Sequence, residues 1–453
     1  NDTDVLSLVT FSTNALVRFS PQKMTVANRH HFFHTLQSIQ VDGQTNIYAG
    51  IERGVDVLRN AADIAAADAL HQVIMLTDGM PNLTPAIGNV KAVENLFNAQ
   101  KHDNFIFTLN ALAFGYDDMH SKELAKLASI CNQGDFTFIP DMGMVGSVFV
   151  NLLSTMFATV EQNIQITIND EVSLPTTTTV PLLQAGQVID VWIQVMTPDG
   201  VEVNVHLPGG QQQEAQLAEV NNMLAHASQC LLQSLEVAAN YSVAPQMIAE
   251  PFQIPAWCKI EAVRRLPLYI DIHAEGVKAL QPLYFEKWGR HYLQSLYSAH
   301  RRQVCNNFKD EGVQAYATPF FLECQAQGNH VFNSLPPPVA NPICRGGTLI
   351  AASSSINYSG NPCVHGSSFV VMADGTFKLA EDIVRGDVVR TENVVVDGAI
   401  LETSATIECV LKTMCVDGKT DLCTLESGLM ITPYHPVAFD AETFCFPIAI
   451  VPP

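Results

Sequence analysis

The sequence predicts a multidomain chain: a doubly wound α/β unit first, a β-sandwich with a helical connector next, and an all-β unit last. Three observations point there. Residues 1–160 alternate short apolar runs with amphipathic stretches, the pattern of a parallel sheet covered on both faces. Residues 161–340 change to period-two alternation and then to helical spacing. Beyond a Gly/Ser/Asn-rich stretch the chain reads as short strands separated by glycine turns.

The elements follow in order. Val5–Phe11 is a β-rich run. Residues 27–39 space Phe32, Phe33, Leu36 and Ile39 as a helix does, and residues 47–58 place Ile51, Val55 and Leu58 on one helical face. Val73, Ile74, Met75 and Leu76 form an apolar strand that stops at Thr77, Asp78 and Gly79. Residues 105–114 read as a strand, 121–130 as a helix, 136–139 as a strand and 145–160 as a helix that closes the unit. The sandwich is expected over 161–210, with strands at 164–168, 188–195 and 201–205 and a Pro-Asp-Gly turn at Pro198. The connector is expected over 211–340, with helices at 211–240 and 284–308. Trp288 and Tyr292 fall on the apolar face of the second helix and read as core, while Asn306 and Asn307 read as caps at its end. Residues 341–362 read as a linker and 363–453 as the all-β unit.

Composition narrows the function classes. At 453 residues, 47% hydrophobic and 15% charged, the chain is globular rather than disordered. Its net charge of −21 argues against nucleic acid, whose phosphates need clustered Lys and Arg. No apolar run approaches the roughly 20 residues that span a bilayer. The 11 cysteines are scattered without CxxC pairs, which predicts free thiols in a reducing, cytoplasmic setting. The 14 histidines are similarly dispersed, with no zinc signature. Asn1 opens the chain in place of a Met or a signal peptide, and both ends read as cut.

Two sets of residues carry chemistry. In the first, Gly43, Gln44, Thr45 and Asn46 form a turn before a helix, and Asp78 lies at the carboxyl end of an expected strand. Ligands of open parallel sheets bind at such ends. A hydroxyl and a carboxylate are hard ligands suited to Mg²⁺. Thr45 could equally cap the helix, and Asp78-Gly79 could be a plain turn. The Gly-x-Thr-Asn loop and Leu76-Thr77-Asp78-Gly79 resemble loops of the von Willebrand factor A-type (vWA) family. That resemblance implies a metal-ion-dependent adhesion site holding Mg²⁺ through Thr45 and Asp78, and a protein partner. The family's Asp-x-Ser-x-Ser loop finds no match here. The resemblance therefore implies that the central strand and main metal ligands are missing from this chain, so that it binds Mg²⁺ weakly.

In the second set, Cys363 follows the linker and opens Cys363-Val364-His365-Gly366-Ser367-Ser368. Asp374-Gly375, then Gly386-Asp387-Val388, then Thr432-Pro433-Tyr434-His435 follow. Each residue alone has a structural role open to it: Cys as a small buried hydrophobe, Thr as a strand residue, His as a satisfied polar group. Their order resembles the Hint domain of hedgehog C-terminal regions and inteins. It implies an N-to-S acyl shift at Pro362–Cys363, active only if the domain's missing half is supplied, with Cys363 as nucleophile, His435 as proton donor and Thr432 as a hydrogen-bond partner of the reacting amide or of the developing oxyanion; the alternative is a metal-dependent vWA binding protein with an inert Hint remnant. Asp387 reads as a turn residue, and His365 carries no catalytic assignment. No His-Asn pair follows His435, so the expectation is cleavage rather than full splicing, with the domain's second half absent. The stretches around Trp288 and Cys305 resemble the connector of eukaryotic vWA–Hint proteins. Some of those carry a U-box, the only basis for a ubiquitin-pathway link.

Overall fold

The structure is a computed structural model. It describes residues 2–40, 43–61, 64–66, 69–77, 81–103, 105–114, 121–139, 145–169, 176–191, 202–207, 212–215, 222–241, 261–307, 310–334, 364–391, 394–396, 399–401, 404–407, 410, 422–425, 427–431, 437–438 and 444–445. The chain divides into two compact units, 1–140 with 148–328 and 141–147 with 329–453.

In the first unit, β1 (Val5–Phe11) and β2 (Ala15–Lys23) form an antiparallel hairpin, followed by α1 (Val26–Gln37) and α2 (Ile47–Asn60). Then come β3 (Gln72–Thr77), α3 (Asn89–His102), β4 (Thr108–Phe114), α4 (Ser121–Ile130), β5 (Phe136–Ile139) and α5 (Val145–Ala158). Strands β3, β4 and β5 make a parallel sheet in that order. The alternation of apolar runs and helices is thus an α/β layer, as expected. Strand β2 was not expected, because Pro21 lacks the N–H that a sheet interior needs; an edge strand tolerates it.

Helix α2 packs on β1, β2 and β3, although the hairpin and the parallel sheet are separate. Ile47, Ile51 and Val55 form its buried stripe. Gly50 permits this approach: a Cβ there would sit 2.7 Å from the Phe11 ring. The core continues through Met75, Val93, Leu109, Leu124 and Phe136.

Helix α5 passes directly into β6 (Thr159–Asn169), which pairs with β7 (Thr176–Gln184) and β8 (Glu202–His206); β8 also pairs with β9 (Gln212–Ala215). Among the described residues this is one four-stranded antiparallel sheet, in the order β7-β6-β8-β9. A second sandwich layer is not among them. The strand expected at 188–195 is not formed over 188–191, and 192–195 lie outside the described residues, as does the turn at Pro198. The helix expected from 211 begins only at Asn222 (α6, Asn222–Ala239), because Gln212–Ala215 finds a strand partner in β8.

The connector continues with α7 (Glu261–Arg264), α8 (Pro267–Asp271), α9 (Val277–Ala279), α10 (Pro282–Tyr284), α11 (Arg290–Arg302), α12 (Glu311–Gln314) and α13 (Pro319–Ser334). The single helix expected over 284–308 is divided. Phe285–Gly289 is a π-helical turn, and Gln303 ends α11 in the left-handed region at φ 52°. Asn306 and Asn307 do not cap α11. Asn306 Nδ2 donates to the Ser295 carbonyl at 3.1 Å, and Asn307 Oδ1 accepts the Asp310 N–H at 3.0 Å ahead of α12. Trp288 and Tyr292 are core, as expected: Tyr292 lies with Leu293, Leu296 and Phe321, and Trp288 packs against both this cluster and the α/β core.

The α/β layer and the connector meet at β5. Asp135, just before it, accepts the Ser298 hydroxyl at 2.7 Å and the Thr137 hydroxyl at 2.9 Å, and pairs with Arg302 at 3.4 Å. Both charged side chains are 5% exposed. Ser298 Oγ also accepts the Phe136 N–H at 3.1 Å, occupying an edge-strand donor. Burial pushes the Arg302 guanidinium below its ordinary value, and Asp135 opposes that shift.

Removing one partner of a buried pair leaves a charge without compensation, at a cost of about 3–5 kcal/mol. Asp135→Ala is therefore expected to lose about that much stability in urea denaturation followed by Trp288 fluorescence. Adding Arg302→Met should recover part of the loss.

Candidate functional site

The first candidate site begins at the turn before α2. Gly43 has φ 67°, and a Cβ there would meet Thr13 Oγ1 at 2.8 Å, so the position needs glycine on both counts. The Gln44 N–H donates to Thr13 Oγ1 at 3.3 Å, and the Asn46 N–H to the Ser12 carbonyl at 2.9 Å. The turn therefore rests on the β1–β2 reversal.

Asn46 is the N-cap of α2: its Oδ1 accepts the Ala49 N–H at 3.0 Å. Thr45 is relieved of that task, and its half-buried hydroxyl makes no hydrogen bond among the described residues. Its backbone is held instead. The Thr45 carbonyl accepts the N–H groups of Asn82 at 3.0 Å and Leu83 at 3.1 Å, and its own N–H donates to Asn82 Oδ1. These bonds join the Thr45 turn to the chain that follows β3. Asp78 lies between β3 and Asn82 in sequence and is outside the described residues. Among the described residues no group of three or more His, Cys, Asp or Glu could hold a metal.

The second candidate site lies in the other unit. Strands β10 (Phe369–Val371) and β11 (Phe377–Leu379) pair antiparallel, and so do β12 (Val388–Arg390) with β15 (Ser404–Thr406). Short hairpins form from β13 (Val394–Val396) with β14 (Ala399–Leu401), β16 (Cys423–Thr424) with β17 (Met430–Ile431), and β18 (Val437–Ala438) with β19 (Phe444–Cys445). The Asp374-Gly375 turn forms as expected: Asp374 Oδ1 accepts the Thr376 N–H at 2.9 Å and hydroxyl at 2.6 Å, and Gly375 has φ 82°. Asp387 is a turn residue, as expected. It accepts the Val384 N–H at 2.8 Å and pairs with Lys378 at 2.6 Å, and the Lys378 ammonium holds its carboxyl below the usual range.

The strand that leads to Thr432 is held on both sides. Ile431 pairs with Cys423 on one side and, through an antiparallel bridge, with Val364 on the other. The His365 N–H donates to the Met430 carbonyl at 2.9 Å. The residue after Cys363 thus lies against the residue before Thr432. Cys363, Thr432 and His435 themselves lie outside the described residues.

Two described thiols make a useful contrast. Burial pushes Cys131 and Cys305 up to about 12, which leaves them protonated and unreactive at neutral pH. Sequence reasoning missed Asn46 as the cap, Asn82 as the clasp and the buried Ser368 beside Met430. The Gly-x-Thr-Asn motif did contain Asn46; the other two stand in loops, where no periodicity marks them.

Family models match three stretches: the von Willebrand factor type A domain over residues 1–149, the "VWA / Hh protein intein-like" region over 265–330, and the Hint-domain over 362–453. No curated protein matches the chain. Among solved structures, the von Willebrand factor type A protein from Catenulispora acidiphila is similar at 13% identity and a TM-score of 0.42, covering 66% of this chain and 81% of its own.

The capping geometry separates the two roles open to Thr45. Asn46→Ala is expected to destabilise the first unit by about 1 kcal/mol through loss of the cap. Thr45→Ala is expected to change it by less than about 0.5 kcal/mol. Chemical denaturation of both variants checks this.

Proposed function

Because the chain joins a vWA domain to a Hint domain through an intein-like connector, we propose that it processes itself at Pro362–Cys363 and releases the vWA part as a protein-binding module. One observation carries this reading: the Val364–Ile431 bridge. It sets the residue after Cys363 against the residue before Thr432, and the chemistry requires those two neighbours of the bridge to be close.

The peptide bond is planar and resonance-stabilised. The Cys363 thiol attacks the Pro362 carbonyl carbon, forming a C–S bond. As the tetrahedral adduct collapses, the C–N bond to Cys363 breaks. His435 gives a proton to the leaving nitrogen, which becomes the free amine of Cys363. Thr432 donates a hydrogen bond to the oxyanion that develops on the Pro362 oxygen. Water or a thiol then attacks the thioester carbonyl, freeing the Pro362 carboxyl derivative and restoring the Cys363 thiol. The nucleophile must be a thiolate, and a free cysteine has a pKa near 8.5. A reducing compartment suits this chemistry; Cys131, Cys230, Cys305 and Cys324 form no disulfide, and among the described residues no helix is long and apolar enough to cross a membrane.

A second reading concerns the vWA domain alone. The Thr45 hydroxyl, left unused by the helix cap, fits a hard cation such as Mg²⁺ together with the Asp78 carboxylate. There the ion would supply a positive centre for a carboxylate of a protein partner. A link to the ubiquitin pathway rests on resemblance to U-box-bearing relatives and on nothing else.

Intact-mass measurement of the chain, with and without dithiothreitol and beside Cys363→Ala, tests the first reading. A product ending at Pro362 is expected, formed faster with thiol and absent from the variant. An uncleaved chain under every condition would leave the vWA reading standing alone.

A further inference from the structure

The loop after Cys363 folds back on itself. Ser368 N–H donates to the His365 carbonyl at 2.9 Å, and the Ser368 carbonyl accepts the Ala380 N–H at 2.8 Å. The Gly366 carbonyl accepts the Glu381 N–H at 2.9 Å. This reversal delivers one side chain to the neighbouring strand. Ser368 is 2% exposed, and its Oγ lies 3.2 Å from both the N and the O of Met430. A hydroxyl has one donor and two acceptor lone pairs, so it can serve both backbone groups at once. Without it, the N–H of the half-buried Met430 loses this acceptor.

We propose that Ser368 is a positioning residue for self-processing: its hydroxyl locks Met430, and with it β17, the strand just before Thr432 in sequence, in register with the segment that follows Cys363. The proposal rests on the processing reading above. The physical logic is one of distances. Met430 stands two residues before Thr432, and the Val364–Ile431 bridge lies between. The bridge and the His365–Met430 bond fasten the strand to this segment at one point, while its other side pairs with β16. The Ser368 hydroxyl adds a second anchor to the same residue from the far end of the loop. Misplacement of reacting groups by about 1 Å costs on the order of 10²-fold in rate.

The test uses the full chain with two readouts. Cleavage at Pro362–Cys363 is expected to slow on the order of 10²-fold in Ser368→Ala, with thermal unfolding of the chain little changed, and to be rescued by Ser368→Thr, which keeps the hydroxyl. If Ser368→Ala does not fold, Ser368→Cys carries the same comparison, since it preserves the volume with only a weak donor. The second readout needs no cleavage. In Thr432→Cys, mild oxidation is expected to join positions 363 and 432 as a disulfide, more slowly when Ser368→Ala is added. Wild-type cleavage rates in Ser368→Ala would overturn the proposal and leave processing intact. A wild-type chain that never cleaves, with cross-linking still dependent on Ser368, would sink processing and keep the lock. Cross-linking indifferent to Ser368 would overturn the lock itself.

Discussion

The first unit depends on the carboxylate of Asp135. It stands where the edge of a parallel sheet meets a helical layer, and both would be unstable if left open there. An edge strand exposes unpaired N–H and C=O groups, and the buried Arg302 guanidinium needs a counter-charge. Asp135 with Ser298 meets both needs: the carboxylate faces Arg302, and the Ser298 hydroxyl links that carboxylate to the Phe136 N–H. The connector is therefore part of the α/β fold and not a tether beside it. Trp288, packed on both cores, says the same in apolar terms.

At both candidate sites the chain beside the motif residue is fixed through its backbone. At the first, Asn46 takes the helix cap and Asn82 holds the Thr45 backbone, and among the described residues the Thr45 hydroxyl has no hydrogen-bond partner. At the second, Met430 and Ile431, the two residues before Thr432 in sequence, are bonded on both sides.

What the sequence revealed follows from where burial is one-sided. The Ile47, Ile51 and Val55 stripe and the apolar β3 and β5 runs were legible because a single face or a whole strand is buried. Helix α4 and strand β5 coincide with expectation to the residue. Strand β7 was hidden because four consecutive threonines give no alternation in polarity. Residues 212–215 read as helix because Gln and Glu favour it locally, yet pairing with β8 prevails. Asn46 was missed as the cap in favour of Thr45 because either side chain can cap a helix, and only geometry distinguishes them. Ser368 could not be found by pattern at all, since its role is a bond to a residue more than sixty positions away.

The central claim is that the amide between Pro362 and Cys363 becomes a thioester. The most direct measurement is carbon NMR of the chain labelled at its proline carbonyls, beside Cys363→Ala. The account predicts a thioester carbonyl signal in the wild-type chain that the variant lacks and that thiol removes. Amide carbonyl signals alone, identical in both proteins, would contradict it.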